Sequence, residues 1–122
     1  MKFDWEDFLK LSEWIIQNIN NLRDQGIDEA AYRTVISRTY YSLFGIVKDY
    51  ATKKLGFQPT GTPDDHKKLK EYYKKIAKKL DQLRNRRNKA DCDEELPYDL
   101  IDKLNRIIQD VKNIIEKIKK MP

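Results

Sequence analysis

Apolar residues recur at steps of three and four along four segments of the chain, which is the spacing of one face of an α-helix. The first segment covers residues 4–24 and is followed by Gly26, and the second covers residues 28–55 and is followed by Gly56. Glycine suits the left-handed residue that ends many helices. The middle of the second segment is apolar nearly all round, so we expect this helix to be surrounded by the other helices.

The third segment begins at Thr62 and carries an arginine where its apolar stripe should continue. The stripe consists of five residues at helical spacing: Leu69, Tyr73, Ile76, Leu80 and Leu83. The same spacing then reaches Arg87 and Ala90. A buried arginine without partners costs on the order of several kcal/mol. We therefore expect that neighbouring groups pair with Arg87 or that it opens into a cleft, such as a seam between two copies of the chain.

An acidic linker at residues 91–96 leads to Pro97 and to a fourth apolar stripe that ends near Ile118. Only four glycines and four prolines are present, which leaves little room for the frequent turns of an all-β fold. A chain of 122 residues is long enough for one core. We therefore predict a single all-α domain over residues 1–122, built as a four-helix up-and-down bundle with short connections.

The positive charge is concentrated in one part of the chain. Residues 63–90 hold eleven lysines or arginines and four acidic residues, a net of +7, whereas the whole chain has +5. This asymmetry favours a polyanionic partner such as nucleic acid, although lysine-rich helix faces are also common on proteins without that role. The charge alone therefore leaves both interpretations open.

The sequence also predicts the cellular location of the protein and whether it binds a metal or another cofactor. The single cysteine, Cys92, cannot form an internal disulfide, which indicates a reducing, cytoplasmic location. No apolar run reaches about eighteen residues, so no contact with a membrane is expected. Cys92 has no cysteine or histidine neighbours for a metal site, and no glycine-rich phosphate loop is present. We predict neither a metal nor another cofactor.

Two segments resemble signatures of the HEPN family of bacterial and archaeal helical domains. Residues 28–50 read DEAAYRTVISRTYYSLFGIVKDY, and the R-x-Y-Y-x-x-F core that begins at Arg38 is similar to the signature of the family's second helix. Residues 83–93 read LRNRRNKADCD, and the R-N-x-x-D part that begins at Arg87 resembles the arginine motif at the end of the third helix. With the matching helix lengths, the resemblance extends over nearly the whole chain and implies a HEPN-like bundle.

The resemblance further implies a homodimer from a prokaryotic toxin–antitoxin or defence system, often with a nucleotidyltransferase antitoxin as partner. Many HEPN domains are metal-independent ribonucleases in which an arginine, a polar residue and a histidine from each copy form one RNA-cleaving site. Carried over by position, Arg87 is the motif arginine, Asn88 is the polar residue, and Asp91 stands near the place of the histidine. These three residues are the candidate catalytic residues. The candidate RNA contacts are the surrounding cations Arg84, Arg86 and Lys89, which we expect to face solvent, together with Arg38.

The histidine of the active pattern is missing from this chain. Histidine accepts and returns a proton near neutral pH, whereas an aspartate of ordinary pKa is a weak base for a ribose hydroxyl. The only histidine, His66, precedes Arg87 by 21 residues, which is about 30 Å along a straight helix. We expect His66 to be a surface residue of the first turn. Cys92 also lies where some relatives carry a tyrosine that a partner transferase modifies.

The sequence leaves three hypotheses about function. The leading hypothesis is an RNA-associated HEPN protein whose ribonuclease site departs from the active pattern. The second is an active metal-independent endoribonuclease toxin, in which Arg87 stabilises the phosphate transition state and Asp91 or an activated 2′-hydroxyl replaces the histidine. The third is a helical adaptor for a nucleotidyltransferase, without an RNA role. We expect Arg38 to be structural, either reaching toward Arg87 or pairing with an acid such as Asp91.

Overall fold

The computed structural model describes residues 2–92 and 95–121, and all regular elements in these ranges are helical. The seven α-helices are α1 Glu6–Gln17, α2 Ile19–Asp24, α3 Asp28–Leu55, α4 Asp64–Tyr72, α5 Ala77–Cys92, α6 Tyr98–Asp102 and α7 Leu104–Lys119, with a 3₁₀ turn, Lys74–Ile76, between α4 and α5. The predicted all-α class is therefore confirmed. Among these helices, none combines the length and the apolar character that a membrane span requires. Residues 93 and 94 of the predicted acidic linker lie outside the described residues.

Helix α3 is the centre of the core. It packs against α1, α2, α4, α5 and α7, as expected for a helix whose middle is apolar nearly all round. Leu43 and Val47 on this helix are completely buried. The helix covers the range predicted from the sequence, and Gly56 ends it with a φ of 72°, a left-handed conformation that glycine adopts at low cost.

An aromatic cluster at the N-terminus packs directly onto the backbone of α3. The Trp5 indole lies against Gly45, and a Cβ atom at this position would overlap the ring. The rings of Phe3 and Phe8 surround the same indole at centroid distances of 5.2 and 5.9 Å. Because glycine leaves room for this approach, α1 lies close to α3. The Phe8 ring then lies near the Arg38 guanidinium of that helix.

Three of the four predicted helical segments are interrupted. The first divides at Asn18 and the last divides at Lys103. The third was expected to continue through Tyr73, but that residue has φ −123° and ψ 67°, and the 3₁₀ turn follows it. One continuous third helix is therefore a wrong prediction.

The break after α4 is accompanied by contacts that a straight helix does not allow. Lys70 and Asp81 are 11 residues apart and form an ion pair at 3.0 Å, whereas a continuous helix would place them about 16 Å apart along its axis. Leu69 and Leu80, on either side of the break, are both completely buried. The chain thus folds back on itself so that α4 and the start of α5 lie side by side against α3.

Candidate functional site

Arg87 lies on the buried side of α5, where two tyrosines of α3 hold its guanidinium group. Nη1 donates a hydrogen bond to Tyr41 Oη at 2.8 Å, and Nη2 donates to Asn88 Oδ1 at 2.7 Å. The guanidinium carbon is 5.3 Å from the ring centroid of Tyr40 and 5.4 Å from that of Tyr41, within the range of a cation–π contact. Asp91 Oδ2 is 3.9 Å from Nη1. The arginine therefore has partners, as its position on the apolar stripe requires.

The guanidinium of Arg87 still has unused donors. Of its five N–H groups, two form the hydrogen bonds to Tyr41 and Asn88. Nε is buried and has no hydrogen-bond partner among the described residues. The side chain as a whole is 21% exposed, and each outer nitrogen has one hydrogen that forms no hydrogen bond with a described residue. The group is both fixed in position and able to bind a further oxygen.

Arg38 of α3 brings a second cation to the same aromatic residues. Its guanidinium carbon is 5.0 Å from the Phe8 ring centroid and 5.1 Å from the Tyr41 ring centroid. No described carboxylate forms an ion pair with Arg38, so the predicted pairing with an acid such as Asp91 is not seen, and Arg38 and Arg87 instead share contact with the Tyr41 ring. We call Arg38, Tyr40, Tyr41 and Arg87 the arginine–tyrosine cluster.

His66 lies beside the arginine–tyrosine cluster. Its side chain is 2% exposed; Nδ1 is 2.8 Å from Tyr40 Oη, and Nε2 is 3.1 Å from Asp81 Oδ1. The imidazole centroid is 5.9 Å from the Tyr40 ring centroid, and the Arg87 guanidinium contacts the same ring. The prediction of a surface histidine about 30 Å from Arg87 is therefore wrong, because the chain folds back at Tyr73.

The hydrogen bonds of His66 fix its protonation. Burial lowers the pKa of His66 below 6.5, although the hydrogen bond to Asp81 opposes this effect, so the ring is neutral near pH 7. The hydrogen bond from His66 holds the pKa of Asp81 below 3.8. This carboxylate can only accept, so Nε2 carries the proton and Nδ1 accepts the Tyr40 hydroxyl proton. Burial raises the pKa of Tyr40 to about 12 despite the nearby arginines, which keeps the hydroxyl protonated.

The other cations of α5 do not share one face of the helix. Lys89 is exposed, whereas Arg84 is half-buried on the side of Tyr40 and His66, whose pKa values it lowers. Arg86 is half-buried in a small apolar crevice between α3 and α7, and its Nη1 has no hydrogen-bond partner among the described residues. The prediction that all three face solvent is therefore wrong for Arg84 and Arg86.

The remaining candidate residues are at the surface. Asn88 is exposed, and the Asp91 side chain is 47% exposed, next to the exposed Cys92. Arg87, Asn88 and Asp91 therefore lie together near the end of α5, and of the three only Arg87 is enclosed. Within the ranges that the structure describes, no three histidine, cysteine or acidic side chains are grouped closely enough to hold a metal ion.

Sequence reasoning missed the hydrogen bond between the buried His66 and the half-exposed Asp81. The two residues are 15 positions apart, and a continuous third helix offers no reason to connect them. One signal was present, because Asp81 is the only acidic residue between positions 72 and 90. An isolated acid within a cationic stretch indicates a specific partner, and the only histidine of the chain was the candidate to consider.

The arginine–tyrosine cluster and its neighbours can bind an anion. Two guanidinium groups approach one tyrosine ring, and Arg87 keeps unused hydrogen-bond donors on its outer nitrogens. The planar guanidinium matches the oxygens of a phosphate group. The histidine is enclosed and both of its ring nitrogens are occupied, so it positions Tyr40 rather than contacting a substrate. Comparison with known protein families, curated proteins and solved structures gave no match for this chain.

Proposed function

We propose that this chain is a HEPN-type four-helix up-and-down bundle that binds RNA as a homodimer and whose ribonuclease site departs from the active HEPN pattern. The supporting observation is Arg87, which tyrosines hold in place while hydrogens on its outer nitrogens remain free for a phosphate. Among the described helices the four longest are α1, α3, α5 and α7, and α1, α5 and α7 all pack against α3. This packing supports the bundle.

The electrostatics of the site favour a phosphodiester ligand. Arg38 and Arg87 both contact the Tyr41 ring, so two positive charges are held at one place, and the described carboxylate that pairs with either is the exposed Asp91, 3.9 Å from Arg87 Nη1. Residues 63–90, which include Arg87, carry a net charge of +7. Such a concentration of cations attracts a polyanion, and the arginine fork sets the orientation of the bound phosphate.

The arrangement favours binding over cleavage. General base catalysis on a ribose hydroxyl requires an accessible group that accepts a proton near neutral pH. His66 is neutral but 2% exposed, and its acceptor nitrogen is occupied by the Tyr40 hydroxyl. Asp91 is the carboxylate that pairs with the Arg87 guanidinium, at 3.9 Å, and a carboxylate is less suited than an imidazole to accept a proton near neutral pH. The endoribonuclease alternative therefore has less support than RNA binding.

The proposal is tested by measuring RNA binding and cleavage with the unmodified chain and with Arg87→Ala, in the presence of a chelator. We expect the unmodified chain to bind structured RNA without cleaving it, with an affinity that falls as salt rises. We expect Arg87→Ala to weaken binding about tenfold and to reduce the slope of the salt dependence by about one, because one phosphate contact is lost. Arg106→Ala is the matched control, since Arg106 is an exposed cation on α7, and it should bind as tightly as the unmodified chain.

Other outcomes would replace this proposal with one of the alternatives. Cleavage that disappears in Arg87→Ala would indicate an active endoribonuclease, and failure to bind RNA at about 50 mM salt would leave the adaptor. Circular dichroism establishes that the variant is folded. Light scattering is expected to give the mass of two chains, and a monomer at the concentrations used for binding would contradict the homodimer.

A further inference from the structure

A groove with a cavity volume of about 710 Å³ lies between the 3₁₀ turn and the C-terminal half of α7. None of its lining residues belongs to the arginine–tyrosine cluster. Its apolar lining consists of Tyr72, Tyr73, Ile76, Ile114, Ile118 and Met121. The volume is in the range of about 300–1,000 Å³ that is typical of ligand-binding clefts. The groove is therefore large enough to receive several side chains of a partner.

Part of this apolar lining remains open to solvent. Tyr72 is 43% exposed and Met121 is 46% exposed, and Ile76 and Ile114 are only half-buried. In a chain of which 37% of the residues are charged, grouped apolar side chains at the surface are a notable feature. Contiguous apolar surface rimmed by polar residues is characteristic of an interaction site.

The rim of the groove is positively charged. It carries Lys74, Lys75, Lys79 and Lys117, against the single acid Glu71. Lys79 is ion-paired with Asp110 at 3.2 Å, which lies outside the lining. The other three lysines are exposed and have no ion pair with a described carboxylate. An apolar floor is thus bordered by three lysines whose charge is not neutralised by the described part of the chain.

We propose that this groove binds an acidic amphipathic segment of a partner protein, with the apolar side chains of that segment on the isoleucine and tyrosine floor and its carboxylates on Lys74, Lys75 and Lys117. Segments of this kind present apolar residues at helical spacing to a complementary groove. A second copy of this chain fits less well, since two cationic rims would repel each other. RNA fits less well, since it offers no aliphatic side chains to the floor formed by Ile76, Ile114 and Met121.

The proposal is tested with a labelled synthetic peptide of about 14 residues, with leucines at helical spacing and glutamates at the flanking positions. Fluorescence anisotropy measures its binding to the full chain. We expect binding that weakens as salt rises, and an affinity at least about tenfold lower after charge reversal of the rim. The rim variant combines Lys74→Glu, Lys75→Glu and Lys117→Glu. The matched control combines Lys67→Glu, Lys68→Glu and Lys78→Glu, which reverses the charge of three exposed lysines outside the lining.

A peptide in which lysine replaces glutamate should not bind the unmodified chain but should bind the rim variant, because reversal of both charges restores complementarity. Tyr72→Ser should weaken binding of the acidic peptide because it removes part of the floor. The proposal is overturned if the rim variant and the control variant lose affinity equally, or if the acidic peptide fails to bind the unmodified chain at about millimolar concentration. It is also overturned if RNA competes with the peptide for the groove. Loss of RNA binding in Arg87→Ala with retained peptide binding would separate this site from the arginine–tyrosine cluster.

Discussion

Replacing Leu43 with alanine is expected to lower the free energy of unfolding by about 2–5 kcal/mol, the usual cost of a large cavity in a core. Leu43 is 0% exposed and lies in the middle of α3, the helix that five others contact. Because neighbours surround this position, the core has few ways to collapse around the missing methyl groups. Chemical denaturation followed by circular dichroism measures the change.

The same substitution at Leu55 is the matched control. Leu55 is the last residue of α3 and is 47% exposed. Leu55→Ala removes the same atoms from the same helix, but about half of this residue's surface already contacts water, so we expect a change within about 0.5 kcal/mol. Equal losses at the two positions would contradict the burial of the α3 centre and its role as the axis of the core.

The fold was predictable where the chain itself carries the signal. Helix α3 was predicted at its observed bounds because a glycine follows it and because its middle is apolar nearly all round. The breaks at Asn18, Tyr73 and Lys103 were not predicted, since no glycine or proline stands at these positions and the apolar spacing continues across them. The ion pair of Lys70 with Asp81 across the second break is a tertiary contact, and periodicity along one helix does not contain that information.

The candidate site was predictable only in part, for a related reason. An arginine on an apolar stripe needs partners, and Arg87 has them in Tyr41 and Asn88, although the sequence did not specify which groups these are. The neighbouring cations were treated as one surface, but Lys89 lies about 200° around the helix from Arg87. Helical geometry would have separated these two residues. The burial of His66 depends on how α4 folds back, which only the assembled core determines.

Replacing His66 with alanine is expected to lower the free energy of unfolding by about 2–4 kcal/mol, through a cavity and through lost hydrogen bonds. The substitution removes the acceptor of the Tyr40 hydroxyl and the donor to Asp81. Tyr40 is 4% exposed, so water does not readily replace the lost acceptor. Lys67→Ala, at an exposed position next in sequence, is the control and should leave the stability nearly unchanged in the same denaturation experiment.

The same histidine should make the stability depend on pH in a defined direction. Burial lowers the pKa of His66 below its ordinary value of 6.5, so the folded chain binds this proton more weakly than the unfolded chain does. The stability should therefore be full above about pH 6.5, decline as the pH falls through that value, and level off below the folded pKa. The pKa of Asp81 is below 3.8, so its contribution is retained between about pH 8 and pH 5.5. The glutamine in His66→Gln does not titrate, so the stability of this variant should show no decline in this range. Parallel stability profiles for the unmodified chain and the variant would contradict a buried, neutral His66 in the network with Tyr40 and Asp81.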